Sequence, residues 1–83
     1  MGIRNTVLEQ LRLAVEEFTS LPFPEQINDE ILLDKFHLDS VAFTNLLVRL
    51  EEQIGFIPSG ILQGIAYPET IGHLIQAYED EAV

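Results

Sequence analysis

Three stretches of the chain repeat apolar residues at the spacing of an α-helix, and proline-containing segments separate them. In the first stretch, roughly residues 3 to 19, apolar residues recur every three or four positions and therefore fall on one helical face. These residues are Ile3, Val7, Leu11, Ala14 and Phe18, flanked by Leu8 and Val15. Pro22 and Pro24 end the stretch, because proline restricts the residue before it and has no backbone N–H to donate. The pattern predicts an all-α fold.

Residues 20 to 39 connect the first two stretches. A structureless loop of this length is uncommon in a compact domain. The connection nevertheless contains apolar residues that can pack across the ends of the helices: Ile27, Ile31, Leu32, Leu33, Phe36 and Leu38. We therefore expect an ordered crossover that includes one helical turn.

The second helix is predicted from about Ser40 to Ile54, with Gly55 as the residue that terminates it. At about 100° per residue, the core side of this helix carries Phe43, Leu46, Leu47, Leu50 and Ile54. Val41 and Val48 fall on the opposite side, beside Asn45 and Glu52. Exposed single apolar residues are normal, so these valines indicate either an ordinary surface or a surface for a partner.

Pro58 and Ser59 introduce a short helix, predicted from Gly60 to about Ile65. Pro68, Glu69 and Thr70 then open the last helix, since proline is favoured just inside a helix start. The buried stripe of this last helix is predicted to be Ile71, Leu74, Ile75 and Tyr78. Together the segments predict one domain over residues 1–83, a small four-helix bundle with three longer helices and one short helix.

Charge and composition limit the possible functions. Fourteen acidic residues against four basic ones give a net charge of −10, which disfavours binding to nucleic acids and to anionic membranes. The acidity either attracts a basic protein partner or serves only solubility. The absence of cysteine excludes disulfides and thiolate metal ligands and fits a reducing compartment. With no apolar run long enough to span a membrane, we expect a cytoplasmic protein without membrane insertion.

Asp39 and Ser40 stand where the second helix begins. Both are ordinary helix-capping residues. A helix N-terminus also stabilises an anion through its partial positive charge and its unpaired N–H groups. A phosphodiester on the Ser40 hydroxyl would lie in that field, whereas Ser20 and Ser59 lack the same Asp-Ser-hydrophobic context. Ser40 is therefore the only serine that we expect to be modified.

This stretch resembles the phosphopantetheine-attachment site of the acyl carrier protein family. The residues that carry the resemblance are Leu38-Asp39-Ser40-Val41, Leu46-Leu47, Leu50-Glu51-Glu52, Phe56-Ile57-Pro58 and Thr70-Ile71. Chain length, acidity and the predicted helix order are also similar to those of the family. The resemblance extends over residues 3 to 80 and implies a bundle of the acyl-carrier type.

By this resemblance, Ser40 carries a 4′-phosphopantetheine arm derived from coenzyme A, and Asp39 orients the modifying enzyme or its metal ion. The chain is then not an enzyme but a monomer that carries acyl groups as thioesters in fatty-acid, polyketide or related specialised lipid biosynthesis. The implied partners are a phosphopantetheinyl transferase and acyl-transferring synthase enzymes with basic patches. The residues implied in partner binding are Val41, Val48, Glu51 and Glu52.

The chain departs from the family pattern around the serine. His37 stands where acyl carriers usually have glycine or a small residue, and as a loop histidine it is expected to be solvated. Ala42, Phe43 and Asn45 replace a pattern that is often acidic, small and acidic. Since two acids are missing beside the serine, the sequence favours a specialised pathway over primary fatty-acid synthesis.

The sequence leaves three alternatives to an acyl carrier. A D-alanyl or other aminoacyl carrier protein would share the Asp39-Ser40 site and differ only in cargo. An unmodified acidic helical adaptor would bind a basic partner through the face of Val41 and Val48 but leaves the Asp-Ser placement unexplained. A hydrolase that uses His37, Asp39 and Ser40 is disfavoured, because working triads assemble from separate segments around an oxyanion hole.

Overall fold

A computed structural model describes residues 2–64 and 67–82, and within these ranges the protein is helical with no strand. The helices are α1 (Ile3–Phe18), α2 (Ser40–Ile54), α3 (Ser59–Leu62) and α4 (Ile71–Glu81), and a 3₁₀ turn spans Leu33–Phe36 before α2. The all-α prediction of three longer helices and one short helix is confirmed. The predicted end of the short helix near Ile65 lies outside the described residues. None of the described helices is long and apolar enough to cross a bilayer.

Buried side chains from all four helices and from the 3₁₀ turn meet in one hydrophobic cluster. α1 packs against both α2 and α4, so it forms the centre of the bundle. The cluster comprises Val7, Leu11, Ala14, Val15, Leu33, Phe36, Leu46, Leu50, Ile61, Ile71, Leu74, Ile75 and Tyr78. Phe18 does not belong to it, contrary to the predicted stripe. As the last residue of α1 it lies at the edge of the bundle and is 40% exposed.

Both ends of α2 are formed by the residues that the sequence predicts. A carboxylate oxygen of Asp39 accepts a hydrogen bond from the Ala42 N–H at 2.8 Å, which caps the N-terminus. At the other end Gly55 has a φ of 110°, a conformation that glycine adopts with little strain, and its N–H donates to Glu51 O at 2.8 Å. The two caps fix where the helix begins and where it stops.

The buried stripe of α2 differs in part from the predicted one. Leu46 and Leu50 are fully buried as expected, but the third buried residue is Ala42. The remaining predicted core residues pack against the cluster from half-exposed positions: Phe43, Leu47 and Ile54. The helix is therefore rotated so that Ala42 lies inside, where a small side chain allows close approach.

The crossover between α1 and α2 is ordered, as predicted, and backbone hydrogen bonds tie it to the start of α4. These bonds join Leu33 N to Glu69 O (2.9 Å), Ile71 N to Ile31 O (3.0 Å) and Gly72 N to Asp29 O (2.9 Å). The guanidinium of Arg4 adds two hydrogen bonds to the Asp29 carboxylate, at 2.8 and 2.7 Å. Within the crossover, the ring of Phe23 stacks on that of Phe36 at a centroid distance of 5.4 Å. The segment that leads into Ser40 is thus held from several sides.

Candidate functional site

Ser40 is the first residue of α2, and its side chain is exposed. The residue before it, Asp39, is already engaged in the helix cap. Its side chain accepts from Ala42 N, and its backbone oxygen accepts from Phe43 N at 2.9 Å. The Asp39 carboxylate therefore satisfies one of the free N–H groups at the helix N-terminus, and Asp39 directly precedes the serine.

The backbone around Ser40 retains hydrogen-bonding capacity. Among the described residues, the N–H groups of Ser40 and Val41 donate to no protein acceptor, and the Ser40 hydroxyl makes no hydrogen bond. These are the N–H groups that every helix leaves unpaired in its first turn. Together with the helix dipole they favour negative charge at this position. A phosphodiester attached to the Ser40 oxygen therefore fits the donors that are present.

Ser59 provides an internal comparison, because it also stands first in a helix. Its N–H and its hydroxyl both contact the Glu81 carboxylate of α4, at 2.8 and 3.2 Å. That carboxylate accepts hydrogen bonds from the groups that a phosphate at Ser59 would use, and its negative charge repels a phosphate. Ser20 lies in the connection after α1 and begins no helix. The difference between Ser40 and the other two serines thus exists in the structure as well as in the sequence.

His37 connects the 3₁₀ turn to the cap of α2 through a left-handed backbone conformation, with φ 53° and ψ 36°. Its N–H donates to Asp34 O at 3.1 Å and closes the turn. Only glycine adopts this region freely, and other residues are strained there. By the resemblance described above, His37 stands where acyl carriers usually have glycine or a small residue, but the sequence analysis does not predict that the position is left-handed. A glycine at this position in the family is the clue from which a left-handed backbone conformation at His37 could have been predicted.

The expected partner face is exposed. Val41 is 70% exposed and Val48 44%, which is high for valines on a helix that also supplies the core. One open surface depression is lined by Ser40, Val41, Thr44, Asn45 and Val48. The structure therefore brings the serine and both valines together, and it adds Thr44, which the sequence interpretation missed.

The two glutamates assigned to partner binding, Glu51 and Glu52, are both exposed but occupy different places. Glu52 follows Val48 by one helical turn and continues the valine face. Glu51 lies toward α4: burial raises the pKa of the Tyr78 hydroxyl, and the negative charge of Glu51 raises it further. Glu51 is therefore near enough to α4 for its charge to act on Tyr78.

Ala42 and Asn45, which stand where the family often has acids, lie in two different environments. Ala42 is 2% exposed, so an acid there would be buried in the core instead of facing a partner. Asn45 is half-exposed, and its side-chain oxygen accepts from Arg49 Nε at 2.7 Å. Arg49 also pairs with Glu17 of α1. Only Asn45 thus changes the charge of the exposed face, which weakens the sequence-based case for a specialised pathway.

No protein-family model, no curated protein and no solved structure matches this chain. Over residues 2–64 and 67–82, no group of three or more histidine or acidic side chains could hold a metal ion.

Proposed function

We propose that this chain is an acyl carrier protein and that Ser40 is the attachment site of its 4′-phosphopantetheine arm. The observation that supports this most strongly is the exposed Ser40 hydroxyl at the capped N-terminus of α2, next to two backbone N–H groups that have no acceptor among the described residues. Such a terminus is suited to holding a phosphate. The arm supplies the thiol on which acyl groups are carried as thioesters, and the chain itself has no cysteine.

The residues around Ser40 divide the remaining tasks. Asp39 holds the helix start in place, so that a phosphopantetheinyl transferase meets a defined serine. Val41 and Val48 offer apolar contact to acyl-transferring enzymes, and the acidic surface around them attracts basic patches on those enzymes. The protein would act as a cytoplasmic monomer that performs no chemistry of its own.

A D-alanyl or other aminoacyl carrier is the alternative within the same proposal, because it would use the same arm and the same serine. An unmodified adaptor is the alternative outside it and would use only the valine face. Carriers of either kind are covalently modified on Ser40, whereas an adaptor is not.

The test is the intact mass of the purified chain after incubation with coenzyme A, magnesium and a broad-specificity phosphopantetheinyl transferase. We expect one phosphopantetheine adduct on wild type and none on Ser40→Ala. The matched control is Ser59→Ala, which removes the other helix-initial serine and should be modified like wild type. Circular dichroism should show equal helicity in all three proteins. An adduct on Ser40→Ala, or none on wild type, would contradict the proposal.

A further inference from the structure

A second surface feature lies in the crossover, on residues that the proposed function does not use. A groove of about 200 Å³ opens between the segment after α1 and the 3₁₀ turn. We call it the Lys35 groove, and it is lined by Leu21, Pro22, Pro24, Ile31, Lys35 and Phe36. Five of these six residues are apolar, and none is acidic.

The apolar part of the Lys35 groove is preformed. Phe36 is only 3% exposed, and its ring is held by stacking on Phe23 at 5.4 Å. Pro22 and Pro24 have fixed φ angles, so their part of the wall loses little freedom when a ligand binds. Leu21 keeps 37% of its surface exposed at the entrance. An apolar ligand would therefore bury existing surface without reorganising the chain.

Lys35 differs from the other basic residues of the protein. Arg4 is paired with Asp29, Arg12 with Glu9 and Glu16, and Arg49 with Glu17. Lys35, by contrast, makes no ion pair with any described residue, although acids outnumber bases fourteen to four. A cation without a partner beside an apolar groove is complementary to a ligand with an apolar chain and a negative end.

We propose that the Lys35 groove binds a short aliphatic carboxylate, with its chain against the exposed surface of Leu21 and Pro22 and its carboxylate on the Lys35 ammonium. The small volume of the groove limits the chain to a few carbons. The net charge of −10 does not prevent binding, because charges farther away than about 8 Å are largely screened at physiological ionic strength. Lys35 is the only charged residue that lines the groove, and the acids next to lining residues in the chain, Glu25, Glu30 and Asp34, have exposed side chains.

This proposal is independent of the modification of Ser40, and the test uses the unmodified chain. Hexanoate is titrated into the ¹⁵N-labelled protein, and the backbone amide shifts are followed. We expect saturable shifts at Leu21, Ile31, Lys35 and Phe36. Hexan-1-ol and hexylamine are the matched probes, because they keep the chain and replace the carboxylate by a neutral or a positive group. Both should bind more weakly than hexanoate, and hexylamine most weakly.

Chain length and charge can then be separated. Because each buried methylene contributes about 0.8 kcal/mol, butyrate should bind roughly ten-fold more weakly than hexanoate. Lys35→Gln should weaken hexanoate by roughly two- to five-fold, as expected for a partly solvated ion pair, and should leave hexan-1-ol unchanged. The charge-matched control, Arg12→Gln, removes a cation outside the groove and should bind hexanoate like wild type.

Three results would overturn the proposal. The first is hexanoate shifts that centre on the face of Val41 and Val48 or do not saturate, since binding is then nonspecific. The second is equal binding of hexanoate and hexylamine. The third is equal weakening by Lys35→Gln and Arg12→Gln. Ser40→Ala should bind hexanoate like wild type, because the groove does not include Ser40. The hexanoate result therefore does not depend on whether Ser40 is modified.

Discussion

The hydroxyl of Tyr78 is buried in the core and has no hydrogen-bond partner among the described residues. Its ring packs against that of Phe56 at a centroid distance of 5.5 Å, which favours burial of the aromatic part. A buried polar group without a partner costs free energy. Tyr78→Phe removes only that group, so we expect the free energy of unfolding to rise by about 1 kcal/mol. Urea denaturation measures it, and a loss of stability would mean that the hydroxyl has a partner.

Tyr78 also predicts how stability depends on pH. Burial raises the pKa of its hydroxyl above the usual value of about 10, and the charge of Glu51 acts in the same direction. Above that usual value the unfolded chain loses the proton while the folded chain keeps it, so stability should fall as pH rises further. The fall should be shallower in Tyr78→Phe. Equal slopes for the two proteins in urea denaturation at several alkaline pH values would show that Tyr78 ionises normally.

At the level of elements, the contact between the crossover and α4 depends on Gly72. A Cβ at this position would lie 2.6 Å from Asp29 Cβ and 3.0 Å from Asp29 O. Alanine is the better helix former by about 1 kcal/mol, but the clash is with atoms close to the backbone, which cannot turn aside. We therefore expect Gly72→Ala to destabilise the protein by about 1–3 kcal/mol in urea denaturation. In an Asp29→Gly background the cost should shrink, and an unchanged cost would mean that the clash is not the cause.

Truncating side chains on the two sides of α2 should lower the free energy of unfolding by very different amounts. Leu46 and Leu50 are fully buried, so replacing either by alanine should cost about 2–5 kcal/mol of unfolding free energy. Val41→Ala and Val48→Ala should each stay within about 0.5 kcal/mol of wild type, because both side chains are exposed. Chemical denaturation of the four variants makes the comparison. A large loss of unfolding free energy in Val48→Ala would show that Val48 packs against the protein, which would contradict a free surface for a partner.

The same elements show what could be predicted from the sequence. Helix positions and caps depend on local spacing, so α1, α2, α4, the Asp39 cap and the Gly55 end were predictable. Rotation of a helix depends on its neighbours, so burial of Ala42 in addition to the predicted leucines was not. Contacts between residues far apart in the chain, such as Ser59 with Glu81, leave no local pattern. The exposed serine and valines of the candidate site were predictable because they follow from position on one helix.

For the whole molecule, the distribution of charge predicts a response to salt. Three of the four basic residues already pair with acids, which leaves most of the fourteen acidic side chains to repel one another on a small surface. Salt at about 0.15 M screens charges more than roughly 8 Å apart and should therefore relieve this repulsion more than it weakens the close pairs. We expect the midpoint of thermal unfolding to rise by several degrees between low and moderate sodium chloride.

A charge-reduced variant separates repulsion from other effects of salt. Glu30 and Glu52 are exposed and form no ion pair with described residues, so Glu30→Gln with Glu52→Gln changes the net charge from −10 to −8 without removing a stabilising contact. If repulsion limits stability, this variant should melt at a higher temperature than wild type in low salt, and it should gain less from added salt. About 1 kcal/mol of relief corresponds to roughly 4–8 °C in a domain of this size, which calorimetry resolves. Equal salt responses of the two proteins, or a midpoint that falls with salt, would mean that the ion pairs outweigh the repulsion.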